Sequence, residues 1–85
     1  MSREDNNILS PGQCRAARAL LHINQIELAK AAEVGTKTVA DFERETGREL
    51  NIVTLRALRA ALERKGIQFI DANGGGPGVR LKKKK

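Results

Sequence analysis

The chain has 85 residues, a formal net charge of +6, one cysteine and one histidine. A chain of this length forms one small domain and buries only about 60% of its unfolded surface. One cysteine excludes an internal disulfide, one cysteine with one histidine excludes a structural zinc site, and no apolar run approaches the ~18 residues that span a membrane.

The positive charge is concentrated at the end of the chain. Arg80 and Lys82 to Lys85 supply five of the sixteen basic residues, which leaves eleven basic and ten acidic residues in 1–79, a net charge of +1. Residues 83–85 are expected to form a basic tail that either contacts phosphates without reading sequence or only keeps the chain soluble. The polar start MSREDNN is not a signal peptide, and we expect a cytoplasmic protein.

The first helix is predicted from its capping residues. Residues 1–9 are expected to form a flexible arm, after which Ser10 is the N-cap and Pro11 suits the first helical position. Gln13, three residues after Ser10, completes a capping box. The helix should end near Leu21, and its core-facing residues at helical spacing are Cys14, Ala17, Leu20 and Leu21.

Residues 24–43 predict two short helices joined by a tight turn. Asn24 is an N-cap with Glu27 three residues on, which is a second capping box. The apolar stripe breaks at Glu33-Val34-Gly35 and resumes with Val39 and Phe42, so the break is the turn. This spacing indicates a helix-turn-helix unit whose second helix is free to enter a DNA groove.

A fourth helix and a β-hairpin are predicted to follow. Asn51 should cap a helix that ends at Gly66 and turns Leu55, Leu58 and Leu62 toward the core. The apolar period then changes from 3.6 to 2, and residues 67–70 and 79–82 read as strands joined by a glycine-rich loop. Because an isolated hairpin is marginal in water, we expect residues 67–82 to pair with a second subunit as a dimerisation element; docking on the chain's own helices is the alternative.

Together these elements resemble the DNA-binding domain of the lambda-repressor-like (Xre/Cro/CI) family of bacterial and phage transcriptional regulators. The resemblance covers about residues 10–65 and implies a mainly α domain of four to five helices over residues 10–66, here with a C-terminal β-hairpin. The sequence departs from the family at the turn, where Glu33 stands at a usual glycine and Gly35 at a usual capping serine or threonine. Glu33 is therefore expected to need a positive φ. The residues that carry the resemblance are Arg18, Gln25, Leu28, Ala29, Val34, Val39, Phe42, Glu43, Leu55, Leu58 and Leu62.

The resemblance implies which side chains contact DNA, with a merely solvated helix face as the alternative for each. The start of the third helix would enter the major groove. The side chains expected at base edges are Thr36, Lys37, Ala40 and Asp41. Asp41 either accepts from cytosine N4 or argues that this helix does not enter DNA, because phosphates repel a carboxylate. The expected phosphate contacts are Asn24, Gln25, Thr38, Arg44 and Arg48.

Other polar residues have structural interpretations. Arg18 and Glu43 match a pair that forms a buried salt bridge between the first and third helices in the family, and Gln25 in the family also braces a recognition-helix side chain. Cys14 reads as a core thiol and His22 as a surface or helix-end imidazole. No combination of nucleophile, base and stabilising group can be assembled, so we expect neither an enzyme nor a cofactor.

The sequence therefore predicts a small sequence-specific regulator, a repressor that binds an inverted-repeat DNA operator as a homodimer, as in a phage, plasmid or mobile element. The rival hypothesis is a protein-binding module, an antiactivator or antitoxin that binds another transcription factor or a toxin. Its support is that residues 36–50 carry three basic and four acidic side chains, whereas a DNA reader concentrates positive charge. The partner face in that case is Glu45, Glu49, Arg56 and Arg59.

Overall fold

The structure, a computed structural model, describes residues 8–45, 50–71 and 74–82. Within these ranges the mainly helical character and the C-terminal two-stranded antiparallel hairpin are confirmed, and the helices number four. The second strand begins one residue earlier than expected. Among the described residues, none of the helices has both the length and the apolar character needed to cross a bilayer. The elements are α1 (Pro11–Leu21), α2 (Gln25–Ala32), α3 (Thr36–Arg44), α4 (Ile52–Arg64), β1 (Ile67–Ile70) and β2 (Gly78–Leu81).

Side-chain caps define where three of the helices begin. The Ser10 hydroxyl accepts from the Gln13 backbone N–H while Gln13 Oε1 accepts from the Ser10 N–H, both at 3.0 Å. Asn24 and Glu27 form the same reciprocal pair at the start of α2, both at 2.8 Å, and Asn51 caps α4. Each cap satisfies an N–H group that has no partner inside its helix. The three predicted caps are confirmed.

Left-handed residues end the helices. The residues His22, Glu33 and Glu45, which follow α1, α2 and α3, have φ values of 59°, 60° and 57°. The positive φ expected of Glu33 is thus confirmed. Beyond α4, Gly66 has a φ of 108°, a value that L side chains rarely adopt, so this position depends on glycine.

The core lies where the helices and β1 meet. Leu55, Leu58 and Leu62 of α4 are buried as predicted. The prediction for α1 was partly wrong, because Leu20 is 38% exposed, while Gln13, which was not predicted to lie in the core, is buried. The largest fully buried side chains are Leu28, Leu58, Leu62, Ile67, Val39 and Cys14.

The hairpin packs against the chain's own helices. β1 contacts α4 and β2 contacts α1, and the Gln13 amide donates to the Gly78 carbonyl at 3.2 Å. Ile67 is part of the core, and Phe69 packs against it opposite Val79 of β2. Docking on the chain's own helices is therefore found, while pairing with a second subunit stays a prediction.

The domain begins two residues before the predicted boundary. Leu9 is buried, and Ile8 packs on the core while its carbonyl accepts from Arg59 Nη1 at 2.9 Å. Both residues were expected in the flexible arm. The rest of that arm, residues 1–7, and the predicted basic tail, residues 83–85, lie outside the described residues.

Candidate nucleic-acid interface

The connection between α2 and α3 is three residues long. The Val34 N–H donates to the Ala29 carbonyl at 3.0 Å, which folds the connection back onto α2, and the Val34 side chain packs against the core. Gly35 is the N-cap of α3 and contributes no side-chain hydrogen bond. The start of α3 is therefore fixed relative to the end of α2 by a backbone bond and one apolar contact.

α3 has a buried face and an exposed face. Val39 and Phe42 enter the core. Of the four side chains expected at base edges, Thr36 and Lys37 are exposed and Ala40 is half-buried. The fourth, Asp41, is buried, which corrects the expectation of an exposed carboxylate among the base-contacting residues. Thr38, expected at a phosphate, is half-buried.

Asp41 lies between two cations of its own helix. Its Oδ2 atom is 3.2 Å from the Lys37 ammonium, and its Oδ1 atom accepts from Arg44 Nη2. Residues four before and three after share one helix face, which is why both cations reach the same carboxylate. The Asp41 side chain is 8% exposed, whereas those of Lys37 and Arg44 are 83% and 62% exposed. The cations therefore stand outermost.

Glu43 joins α3 to the two preceding helices. Its carboxylate accepts from Arg18 Nε at 2.8 Å and Nη2 at 2.6 Å, and from the Gln25 amide at 3.0 Å. Arg18 also donates to the Ile23 carbonyl at 3.2 Å, just before α2. The ion pair expected between Arg18 and Glu43 is thus present, and it is largely buried.

The environment of this network sets its protonation. Burial by itself raises the pKa of Glu43, but hydrogen bonds from Arg18, Cys14 and Gln25 outweigh it and hold that pKa below the ordinary value. The same carboxylate raises the pKa of Arg18. Burial, followed by the hydrogen bond to Glu43, raises the pKa of the Cys14 thiol, which makes it unreactive at neutral pH.

The residues expected to bind phosphates around α2 and α3 differ in their availability. Asn24 uses its side-chain oxygen to cap α2. Gln25 is half-buried and its amide donates to Glu43, so it braces α3, while the expected phosphate contact stays a prediction. Arg44 is exposed. Arg48 lies outside the described residues.

Arg15 takes part in the arrangement although the sequence analysis did not single it out. Its Nη1 atom donates to the Glu43 carbonyl, and its Nη2 atom is 3.1 Å from the Glu45 carboxylate. Carbonyls in the last turn of a helix lack intrahelical partners, and Arg15 satisfies one of them for α3. Its position three residues before Arg18, hence on the same face of α1, was the available signal.

The alternative partner face is not one continuous exposed surface. Arg59 is half-buried, with its guanidinium bonded to a backbone carbonyl ahead of α1 and lying 4.5 Å from the centroid of the Phe69 ring. This corrects the expectation of Arg59 as an exposed contact. Of the other three residues, Glu45 is ion-paired to α1, Arg56 is exposed and Glu49 lies outside the described residues.

The exposed side chains of α3 supply hydrogen-bond donors and cations. In the part of the chain that the structure describes, no three histidine, cysteine, aspartate or glutamate side chains are grouped so that they could hold a metal ion.

Comparison of the chain with protein-family models and with curated proteins finds no match to either.

Proposed function

We propose that the protein is a lambda-repressor-like regulator that binds a specific DNA operator, an inverted repeat, as a homodimer and represses transcription there. α3 is the recognition helix and enters the major groove with its first turns. Lys37 donates to guanine O6 and N7, Thr36 bonds a base or phosphate, and Ala40 contacts a thymine methyl. Arg44 grips the DNA backbone.

The arrangement of charge on α3 carries this proposal. In the sequence, the acidic residues of this region equal or outnumber its cations. In the fold, Asp41 and Glu43 are withdrawn from the surface, whereas Lys37 and Arg44 are exposed. Glu45 is paired with a cation of α1. The outward charge of α3 is therefore positive, which favours a phosphate backbone and weakens the electrostatic case for a protein partner.

The fixed position of α3 supports the same proposal. Its C-terminal half is held by the hydrogen bonds on Glu43, and its start is held by the three-residue connection from α2. A helix that is already ordered loses less conformational entropy when it binds. The exposed first turns can thus meet a groove as a rigid body.

Replacing Lys37 with alanine is expected to weaken operator binding by about 1–3 kcal/mol while binding to unrelated DNA barely changes. The probes are a duplex enriched from a random library by the full chain and a scrambled duplex of the same composition. Fluorescence polarisation at two salt concentrations measures both affinities. Asp41 keeps its bond to Arg44 in this variant, so the substitution does not leave the carboxylate without a cation.

Lys65→Ala is the matched control, because Lys65 is an exposed lysine just beyond α4. Its variant should keep the preference for the enriched duplex. Equal losses on both duplexes in Lys37→Ala would make Lys37 a phosphate contact. If the full chain enriches no sequence at all, the proposal of a sequence-specific regulator is wrong.

A protein-binding module, an antiactivator or antitoxin, is the second candidate. The observation that favours it is an exposed apolar side chain in the first turn of both α2 and α4, Ile26 at 57% and Val53 at 74%. Burying such groups stabilises a protein contact, whereas a phosphate backbone gains nothing from them. Val53→Asp should then abolish regulation in cells while Lys37→Ala leaves it intact; the DNA proposal predicts the reverse.

A further inference from the structure

Asp41 occupies a position on α3 that direct reading of a base does not explain. Its side chain is buried, and both of its oxygens are engaged, one by Lys37 and the other by Arg44. To accept from a cytosine amino group it would have to reach past two cations that are far more exposed. We propose that Asp41 is a positioning residue, which holds the Lys37 ammonium and the Arg44 guanidinium in one geometry and lowers their attraction for DNA of any sequence. The inference rests on the proposed function and concerns how that helix discriminates between sequences.

Asp41 restricts the conformations of the two cations before DNA binds. Lysine and arginine have long side chains with many rotamers, and an exposed one loses that freedom when it binds. Here the two cations share one buried carboxylate in the middle of α3. Their charged groups are therefore restricted before DNA arrives, which favours a partner whose acceptors match their positions.

Asp41 also lowers the positive charge that α3 presents to DNA. Sequence-independent affinity grows with the number of phosphates that a protein neutralises and falls steeply with salt. Lys37, Arg44 and Asp41 together carry a net charge of +1, where the two cations alone would carry +2. The carboxylate thus reduces attraction to every duplex. A matched sequence compensates through hydrogen bonds to base edges, and an unmatched sequence does not.

The test is Asp41→Asn in the full chain, which keeps the shape of the side chain and removes its charge. The probes are the duplex enriched by the unmodified chain and its scrambled counterpart. We expect scrambled DNA to bind about tenfold more tightly, with a slope of log K against log salt steeper by about one. The preference for the enriched duplex should fall about tenfold. An unchanged preference together with an unchanged salt slope overturns the inference.

Three further variants separate positioning from a purely structural role. Glu63→Gln removes a carboxylate that pairs with a cation four residues before it, but on α4, and it should leave both binding measurements unchanged. Asp41→Glu keeps the charge and should keep the weak binding to scrambled DNA. If Asp41→Asn proves unfolded by circular dichroism, Asp41→Glu and a comparison with Asp41→Ser decide the point by the same salt slopes.

A measurement without DNA distinguishes failure of this inference from failure of the proposed function. Nitrogen-15 relaxation of Arg44 Nε and Lys37 Nζ in the free protein reports how far each charged group is restricted. Both groups should become clearly more mobile in Asp41→Asn. Unchanged mobility overturns positioning by Asp41 even in a protein that binds its operator. A protein that prefers no sequence but shows the change in mobility overturns the regulator and keeps the positioning.

Discussion

The two buried carboxylates of α3 differ in where their cationic partners lie. Glu43 is bonded inward, to Arg18 of α1 and Gln25 of α2, and its cation is itself mostly covered. Asp41 is bonded outward, to cations that remain in solvent. A buried ion pair is costly to break because the remaining charge has no water to solvate it. Glu43 therefore stabilises the packing of the helices, whereas Asp41 interacts with the exposed cations of α3.

Replacing Arg18 with methionine is expected to lower the free energy of unfolding by about 3–5 kcal/mol, because the Glu43 carboxylate would stay buried without its cation. Glu45→Gln is the matched comparison, because Glu45 directly follows α3 and also pairs with a cation of α1. It breaks the pair with Arg15, whose side chains are 46% and 58% exposed, and exposed pairs contribute about 1 kcal/mol or less. Urea unfolding followed by circular dichroism measures both. Similar small losses would contradict a structural role for the buried pair.

At the scale of the elements, short-range patterns were enough to predict most boundaries. A cap depends on residues three apart, as Ser10 and Gln13 or Asn24 and Glu27 show. A helix end depends on one backbone angle, as at Gly66. Such features are decided within one turn of chain, so the sequence contains them directly.

Features that depend on distant residues could not be predicted in this way. Leu20 was expected inside but is 38% exposed, whereas Gln13, two turns earlier on the same side of α1, is buried and donates to a carbonyl of the hairpin 65 residues away. Arg59 was expected outside, but its guanidinium meets a carbonyl 51 residues away. The base-contact candidates that the pattern identified correctly as exposed, Thr36 and Lys37, need no such information.

The left-handed backbone of Glu33, at the end of α2, is expected to limit the stability of the domain. Glu33 holds a φ of 60°, and a side chain in that region costs about 1 kcal/mol relative to glycine. Glu33→Gly should therefore raise the free energy of unfolding by about 0.5–1 kcal/mol, since relief of the left-handed backbone exceeds the added entropy of the unfolded glycine.

Glu33→Ala is the matched control, because it removes the same carboxylate and keeps a Cβ atom at the left-handed position. Its stability should stay within about 0.5 kcal/mol of the original in the same denaturation experiment. Equal gains in both variants would mean that the charge of Glu33, and not its backbone, limits the stability of this helix end.

The C-terminal hairpin is an integral part of the domain. A domain this small needs most of its apolar residues in one core, and Ile67 of β1 is one of its most buried side chains. The hairpin thus completes the core of the domain that presents α3. A homodimer, as we propose, then adds an interface to a unit whose hairpin is already packed on its own helices, so pairing of subunits and folding of each subunit are separate questions.

Acid stability is a property of the whole molecule, because Glu43 ties α1, α2 and α3 together. The pKa of Glu43 is lowered in the folded protein, so the unfolded chain binds that proton more tightly and acid favours unfolding. The stabilisation is complete above the ordinary glutamate pKa of about 4.3 and is lost as pH falls through the lower folded value. We expect this contribution to be constant between about pH 7 and 5.5 and to decline toward pH 3.

Urea unfolding at a series of pH values measures this decline, and Glu43→Gln identifies its source. That variant should be less stable at neutral pH, because Arg18 loses its carboxylate, and its stability should fall less steeply in acid. Glu45→Gln, which alters an exposed carboxylate on the same helix end, should keep the original acid slope. If Glu43→Gln retains the full slope, the loss of stability in acid arises at other carboxylates, and the hydrogen bonds on Glu43 hold the helices together without governing their response to pH.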